Sequence, residues 1–353
     1  MELELERTQL NGFETVLNTT VCREEMLEAI VPDACPDILT ICDTEGQVCL
    51  SGKQAQEGRA EISGTIYAAV LYLPDGAQGM RRMEVSIPFS CTADSPGIHA
   101  GCSVVAVPRV QSAETRLLNP RKVLVKVNLA VCVAVYAPVQ EEICAGVTNP
   151  ETAGVEQLTQ RQETCVVANV EEKSFPFTDD LNLPGGRPEA EELLRHRLCV
   201  CCTESKIIGN KLIFKGSAQL QTLCRGTDGG LFTAEFELPF SQIMEVVGAG
   251  EESACEIQVV PLSCACTLDG GDGRTVSVAL ELLAQAVVRE TRSVAMLSDV
   301  YSTTHTLVPD FRTYSLSQLL EQGVRRQTVR EILETGALAR EVADAYVTIG
   351  TVA

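Results

Sequence analysis

Sixteen cysteines are the most distinctive chemical feature of this chain of 353 residues. Five of them fall in two short stretches that contain the spacing C-x-C. Because alternate side chains of a strand share a face, two such strands lying side by side could surround one metal ion with four thiolates. Common zinc fingers and ribbons use C-x₂-C instead, so we expect no bound metal. The cluster kept as the metal candidate consists of Cys199, Cys201, Cys264 and Cys266.

Two other roles fit the same cysteines. The chain begins MELELERTQLNGFETV, without a basic start or an apolar run of signal-peptide length, so we expect synthesis and retention in the cytoplasm. Thiols stay reduced in that compartment, and a reduced cysteine behaves as a small buried hydrophobe. Exposed thiolates could instead crosslink proteins by oxidation during assembly. Core packing and crosslinking therefore stay open beside metal binding.

The three histidines show no catalytic pattern. His99 follows Pro96-Gly97 in an expected loop, His196 is expected on a charged helix over 187–197, and His305 stands alone. The sequence has no H-E-x-x-H, G-x-S-x-G or Walker-type motif. We therefore expect no enzyme activity, no catalytic residue and no cofactor.

Charge and composition exclude further classes. Lysine and arginine number 28 against 48 acidic residues, which gives a net charge of −20. Nucleic acids and anionic membranes attract basic surfaces, so neither is an expected partner. The longest apolar stretch, 123–139, contains Lys126, Asn128 and Pro138 and alternates in polarity, which argues against membrane insertion.

The sequence repeats itself after about 152 residues. Val48-Cys49 returns as Val200-Cys201, and Ile87-Pro88-Phe89-Ser90 returns as Leu238-Pro239-Phe240-Ser241. Small changes in the offset are what short insertions in loops produce. The chain therefore contains two copies of one unit.

The last strand of each copy gives the clearest pattern. Seven alternate aliphatic residues run from Val123 to Val135, and seven more run from Val276 to Val288. Period 2 with one apolar face predicts a half-buried strand. Such a strand of about 13 residues would span roughly 43 Å, so we expect a bend or bulge in it.

Turn signals complete the fold prediction. Pro74-Asp75-Gly76 and Thr227–Gly230 predict hairpins, while Pro36 and Pro188 each predict a short helical turn that opens a copy. The fold class is mainly β, with tandem antiparallel sandwich or barrel-like domains, short helices and a partial third repeat. The expected boundaries are an N-terminal segment at 1–19, a β domain at 20–136, a polar connector at 137–176, a second β domain at 177–290, and a helical connector with the opening of a third repeat at 291–353.

The last segment carries its own signals. Ser315 with Gln318, and Thr328 with Glu331, fit capping boxes and predict two short helices that end near Gly323 and Gly336. Residues 341–353 are similar to the opening strand of a copy. An unpaired strand is a template for pairing with another chain. The candidate interaction residues on it are Val342, Tyr346, Val347 and Ile349.

Several of these elements together resemble the SPOCS-domain family of spore-coat-associated proteins. They are the double copy, the stretch VPDACPDILTI…VCLSG, the IPFS and LPFS elements, and LSDVYST at 297–303. The family includes a coat morphogenetic protein that binds the ATPase scaffold of the coat. Its members often end in a LysM module, which is not visible here, so a cell-wall-binding role is not carried over.

The resemblance implies a non-enzymatic structural or assembly protein of the bacterial endospore coat. Its partners would be other coat proteins, among them the ATPase scaffold, and further copies of itself. It would be made in the mother-cell cytoplasm and assembled on the forespore. The alternative is a carbohydrate- or peptide-binding β-sandwich module of the cell envelope, although a chain with no Trp and 4% aromatic residues offers little for sugars to stack on.

Overall fold

The computed structural model describes residues 3–269, 271–321, 328–332, 334 and 342–346. Within these ranges the chain forms twelve β-strands and one helical turn. The first copy contains β1 (Leu5–Ile30), β2 (Ile38–Gln56), β3 (Arg59–Pro74), β4 (Arg81–Asp94), β5 (Ser103–Asn119) and β6 (Lys122–Val147). After the turn α1 (Pro150–Ala153), the second copy contains β7 (Glu156–Asn182), β8 (Ala190–Ile208), β9 (Lys211–Gly226), β10 (Leu231–Glu245), β11 (Ala254–Leu268) and β12 (Thr275–Tyr301).

Each copy is an antiparallel β-sandwich of six strands. Its second, third and fourth strands form a three-stranded sheet, in the orders β2-β3-β4 and β10-β9-β8. The other six strands form one sheet in the order β11-β12-β7-β1-β6-β5, so that each copy supplies one half of it. The predicted mainly β fold of tandem antiparallel sandwiches is confirmed, and so are both predicted hairpins, β3–β4 and β9–β10.

The two apolar stripes lie where the sequence placed them. All seven alternate side chains from Val123 to Val135 on β6 are buried, and so are the seven from Val276 to Val288 on β12. The expected irregularities are present as register shifts, at Thr15/Leu17 opposite β6 and at Val288/Arg289 in β12. Such bulges let strands of 26 and 27 residues bend around a core.

A glycine and a phenylalanine recur together in the two cores. Gly64 on β3 faces Phe89 on β4, and Gly216 on β9 faces Phe240 on β10. A Cβ added at Gly216 would lie 2.2 Å from the carbonyl oxygen of Cys201. The glycines are therefore required by close approach of a ring and a neighbouring strand, which explains why both copies keep them.

The turns expected at the start of each copy differ from the prediction. No helical turn follows Pro36, because β2 begins at Ile38, and the segment expected to be a charged helix at 187–197 becomes β8 from Ala190 onward. Local helix signals are overridden because β8 pairs along its length with β9, from Ala190↔Gly226 to Ile208↔Lys211. His196 consequently lies on a strand.

The segments expected at 1–19 and 137–176 are mostly strand as well. They contain the first part of β1, the end of β6 and most of β7. Strand β1 has no fully buried residue, although it pairs with β6 from Leu5↔Val147 to Ile30↔Lys122. Such strands are held by backbone hydrogen bonds and lack the apolar alternation by which a sequence reveals a strand.

The chain after β12 also differs from the prediction. Residues 315–321 form no helix, because the carbonyl oxygen of Ser317 accepts hydrogen bonds from the backbone N–H of Cys165 at 2.6 Å and from the Thr164 hydroxyl at 3.0 Å. Residues 328–332 are not helical either, and Gly323 and Gly336 lie outside the described residues. Within the described ranges, no helix has the length and apolar character needed to cross a bilayer.

Candidate functional site

The two copies pack against each other rather than standing apart. Strands β1 and β7 meet at the single residue pair Phe13↔Val167, beside a small core around Val105, Tyr136 and Val287. Val260 and Leu283 belong to the second copy but are buried in the core of the first. Two side chains of the second copy therefore complete the core of the first.

A buried glutamine joins the two copies through main-chain atoms. The Gln285 side chain accepts a hydrogen bond from the backbone N–H of Ala106 at 3.0 Å and donates one to its carbonyl oxygen at 2.9 Å. Gln285 lies on β12 and Ala106 on β5, the outer strand of the first copy's half of the large sheet. A side chain of the second copy therefore provides hydrogen-bond partners for backbone groups at the sheet edge of the first.

The edge strands β2 and β8 meet through charges. Arg195 is 4% exposed and contacts Asp43 and Glu45, the latter at 3.0 Å. Arg197 binds Glu45 through two hydrogen bonds of 2.5 and 2.7 Å, the forked geometry that arginine forms with a carboxylate. Burial alone would lower the pKa of Arg195, but the neighbouring carboxylates raise it above its ordinary value.

A segment near the end of the described chain docks on this pair of arginines. Asp344 approaches Arg195 at 2.5 Å and Arg197 at 3.6 Å, and the Tyr346 ring lies 4.0 Å from the Arg197 guanidinium carbon. Burial, followed by the charges of Asp43 and Glu45, raises the pKa of Tyr346. The segment 342–346 is therefore anchored to the junction by two ion pairs and a cation–π contact.

The four interaction residues predicted from the sequence have different placements. Tyr346 lies on the arginine pair of its own chain, and Val342 is 71% exposed. Residues 342–346 form no strand, and Val347 and Ile349 lie outside the described residues. The arginine pair was missed, although Asp43 and Glu45 stand 152 residues before Arg195 and Arg197. The opposite charges at equivalent positions of the two copies are the sequence feature from which this contact could have been predicted.

The predicted metal cluster is assembled differently. The ligand atoms of Cys264, Cys266 and His196 lie within 4.8 Å of one another, whereas Cys199 and Cys201 are exposed and belong to no such group in the described part of the chain. The neighbouring Cys266 thiol lowers the pKa of Cys264 against the opposing effect of burial, and His196 lowers it further; Cys264 in turn raises the pKa of Cys266. Of the four cysteines predicted to lie together, Cys264 and Cys266 do so, and His196 lies beside them in place of Cys199 and Cys201.

None of the sixteen cysteines, all within the described ranges, forms a disulfide. Four are buried, and burial raises the pKa of two of them strongly, Cys49 to about 12 and Cys224 to about 11. Cys49, Cys91 and Cys224 are small buried side chains within the sandwiches, whereas the buried Cys266 belongs to the group with His196. The exposed cysteines available for crosslinking are Cys22, Cys42, Cys132, Cys199 and Cys201.

The fold and the junction define a protein of two tandem antiparallel β-sandwiches. The two sandwiches pack on each other, and their edge strands β2 and β8 carry opposite charges. The family described as SipL, SPOCS domain, matches residues 37–118 and 189–269, one match in each sandwich. Each sandwich therefore contains one region that matches the SPOCS domain, which confirms the resemblance predicted from the sequence. Comparison with curated proteins and with solved structures gave no significant match.

Proposed function

We propose that the protein is a non-enzymatic structural component of the bacterial endospore coat that acts by associating with other coat proteins and with itself. The observation that carries the proposal is the coincidence of each SPOCS match with one of the two packed sandwiches. The proposed place of assembly is the forespore surface, reached from the mother-cell cytoplasm. The ATPase scaffold of the coat is the proposed partner to test first.

The surface proposed for association is the outer edge of β10 and the loop after it. Strand β10 pairs with β9 alone, so no second strand is paired along its other edge; near its end, Lys173 and Asn169 of β7 donate to the carbonyl oxygens of Ile243 and Val247. Ile243 on this strand is 50% exposed and Val247 after it is 71% exposed. An open edge flanked by apolar side chains favours the addition of a strand from a second chain.

The proposed cellular role is tested by a fluorescent fusion in a sporulating host. We expect a cap or ring of signal around the forespore, and pull-down of the coat scaffold from the same cells. A diffuse signal that does not change during sporulation would contradict the role in the coat.

The proposed surface is tested by Ile243→Lys, which places a charge at the β10 edge. We expect the variant to lose self-association measured by light scattering after size exclusion. The matched control is Gln219→Lys, because Gln219 is exposed on β9, the central strand of the same sheet. Equal oligomer size in the wild type and both variants would contradict association through this edge.

A further inference from the structure

The group of His196, Cys264 and Cys266 has the chemistry of a metal site. Cys264 and Cys266 point from one face of β11, and His196 on β8 completes a set of three donors within 4.8 Å of one another. His196 and Cys264 are half-buried and Cys266 is buried. One imidazole nitrogen and two sulfur atoms that converge on one point form a set of donors of the kind that zinc binds.

A fourth side chain faces this group with its polar atoms unused. Gln47 on β2 lies beside the Cys264 thiol. Both Gln47 polar atoms, Oε1 and Nε2, are buried, and neither has a partner at hydrogen-bond distance among the described residues. A buried amide without partners is costly, so an oxygen in this position calls for a cation or a bound water.

We propose that His196, Cys264 and Cys266 bind a zinc ion, with the side chain of Gln47 turned toward the fourth coordination position. Zinc prefers nitrogen and sulfur donors in a tetrahedron, with bonds of about 2.3 Å to sulfur and about 2.0 Å to nitrogen. Those bond lengths place the donors roughly 3.3–3.8 Å apart. Side-chain rotations that move the donor atoms by about 1 Å are therefore enough to close the site.

Charge balance supports zinc at this place. On binding, each thiol that still carries its proton releases it to solvent, and the two resulting thiolates neutralise the two positive charges of the ion. The loaded site therefore has no net charge, which a half-buried position tolerates. The set has no carboxylate, so it does not suit calcium or magnesium, which take oxygen ligands.

The site lies where the two SPOCS domains meet. Three donors belong to the second copy, whereas Gln47 belongs to the first, and the Cys49 thiol on the same strand lies next to the backbone of Cys264. A zinc ion held there would link β2, β8 and β11. Metal binding would consequently stabilise the packing of the two copies on each other.

The first test is on the wild-type protein, purified under reducing conditions and dialysed against zinc. We expect one tightly held zinc per chain that resists a competing weak chelator. X-ray absorption at the zinc edge is expected to show two sulfur ligands, with nitrogen or oxygen in the remaining positions. No retained zinc, or an environment of four sulfur ligands, would overturn the proposal, since only exposed thiols elsewhere could supply the latter.

The second test uses variants of individual ligands. Cys266→Ser and His196→Gln are expected to lose the one tightly bound zinc ion per chain. Gln47→Leu is expected to weaken zinc binding by roughly 10-fold, the effect typical of removing a side chain that supports a metal site. The matched control is Cys199→Ser, an exposed cysteine on the strand that carries His196. Retention of zinc by the ligand variants, or its loss in the control, would contradict the assignment. If Cys266→Ser does not fold, the wild-type spectrum and His196→Gln decide the question.

Discussion

Single residues in equivalent positions show how each SPOCS domain is packed. Gly64 and Gly216 have the same environment, in which a ring from the next strand and a carbonyl from the previous strand leave no room for a side chain. The rings of Phe175, Phe214 and Phe240 meet in the second core, with Phe175 and Phe240 centroids 5.3 Å apart. The sequence showed the recurrence of these glycines, but the contact that requires them is visible only in the fold.

Adding one methyl group at Gly216 is expected to destabilise the second domain. In Gly216→Ala the new Cβ would overlap the Phe240 ring and the Cys201 carbonyl, which should cost about 1–3 kcal/mol. Urea unfolding followed by circular dichroism measures the difference. Gly185→Ala is the control, because nothing lies within 4 Å of a Cβ there. Equal midpoints for both variants would contradict the packing.

Buried thiols make the free energy of unfolding depend on pH in the alkaline range. Burial raises the pKa of Cys224 from 9.0 to about 11. The folded state therefore holds this proton more tightly than the unfolded state. The protonated thiol contributes fully to the free energy of unfolding below pH 9, and this contribution is lost as the pH rises through 11. In Cys224→Ala, the decrease in unfolding free energy between pH 8 and pH 10.5 should be smaller than in the wild type.

The exposed Cys132 supplies the control for this alkaline effect. Cys132→Ala is expected to keep the wild-type dependence of stability on pH. Urea titrations at several pH values compare the three proteins under reducing conditions. A parallel decrease in all three would show that the Cys224 thiol does not contribute.

At the scale of elements, the strands with an apolar face were predictable and those without one were not. The stripes of β6 and β12 identify themselves by period 2. Most of β1 and β7 falls in the segments expected to be terminal and connecting, because both strands expose polar residues such as Glu14 and Glu163 and pair mainly through their backbones. The arginine pair on β8 was likewise hidden, since its partners come from another part of the chain.

The contact of β2 with β8 should depend on Arg195. Arg195→Ala would leave the carboxylates of Asp43, Glu45 and Asp344 without their buried partner, at a cost of about 3–5 kcal/mol. Thermal unfolding measures the loss. Arg59→Ala is the control, because its pair with Asp94 is exposed and should contribute less than about 1 kcal/mol. Equal effects of the two variants would show that the junction does not rely on this ion network.

At the scale of the molecule, the two SPOCS domains share parts of one core. Leu283 comes from the second copy and is buried against the first, and Arg225 of the second copy donates to the Met80 carbonyl oxygen of the first at 2.7 Å. The packing of the copies could not be predicted from the sequence, because repeats that stand apart and repeats that pack can have the same internal pattern. The family resemblance itself was carried by strand patterns and proline and glycine positions.

The shared core predicts that the two domains unfold together. Calorimetry should show one transition in which the van't Hoff and calorimetric enthalpies agree. Leu283→Asp should lower the temperature of that single transition, because it buries a charge in the first domain's core. Two resolved transitions, with only one shifted by the substitution, would show that the domains unfold independently.

The charges at the β2–β8 contact also fix which copy can pair with which. Asp43 and Glu45 occupy the same places in the first copy as Arg195 and Arg197 in the second. Two first copies would bring carboxylates against carboxylates, and two second copies would bring guanidiniums together. The same patch of each copy therefore takes part in the contact, with opposite charge in the two copies, so that only unlike copies fit. Closing it within one chain uses both halves of the contact and leaves neither free to extend into an open polymer.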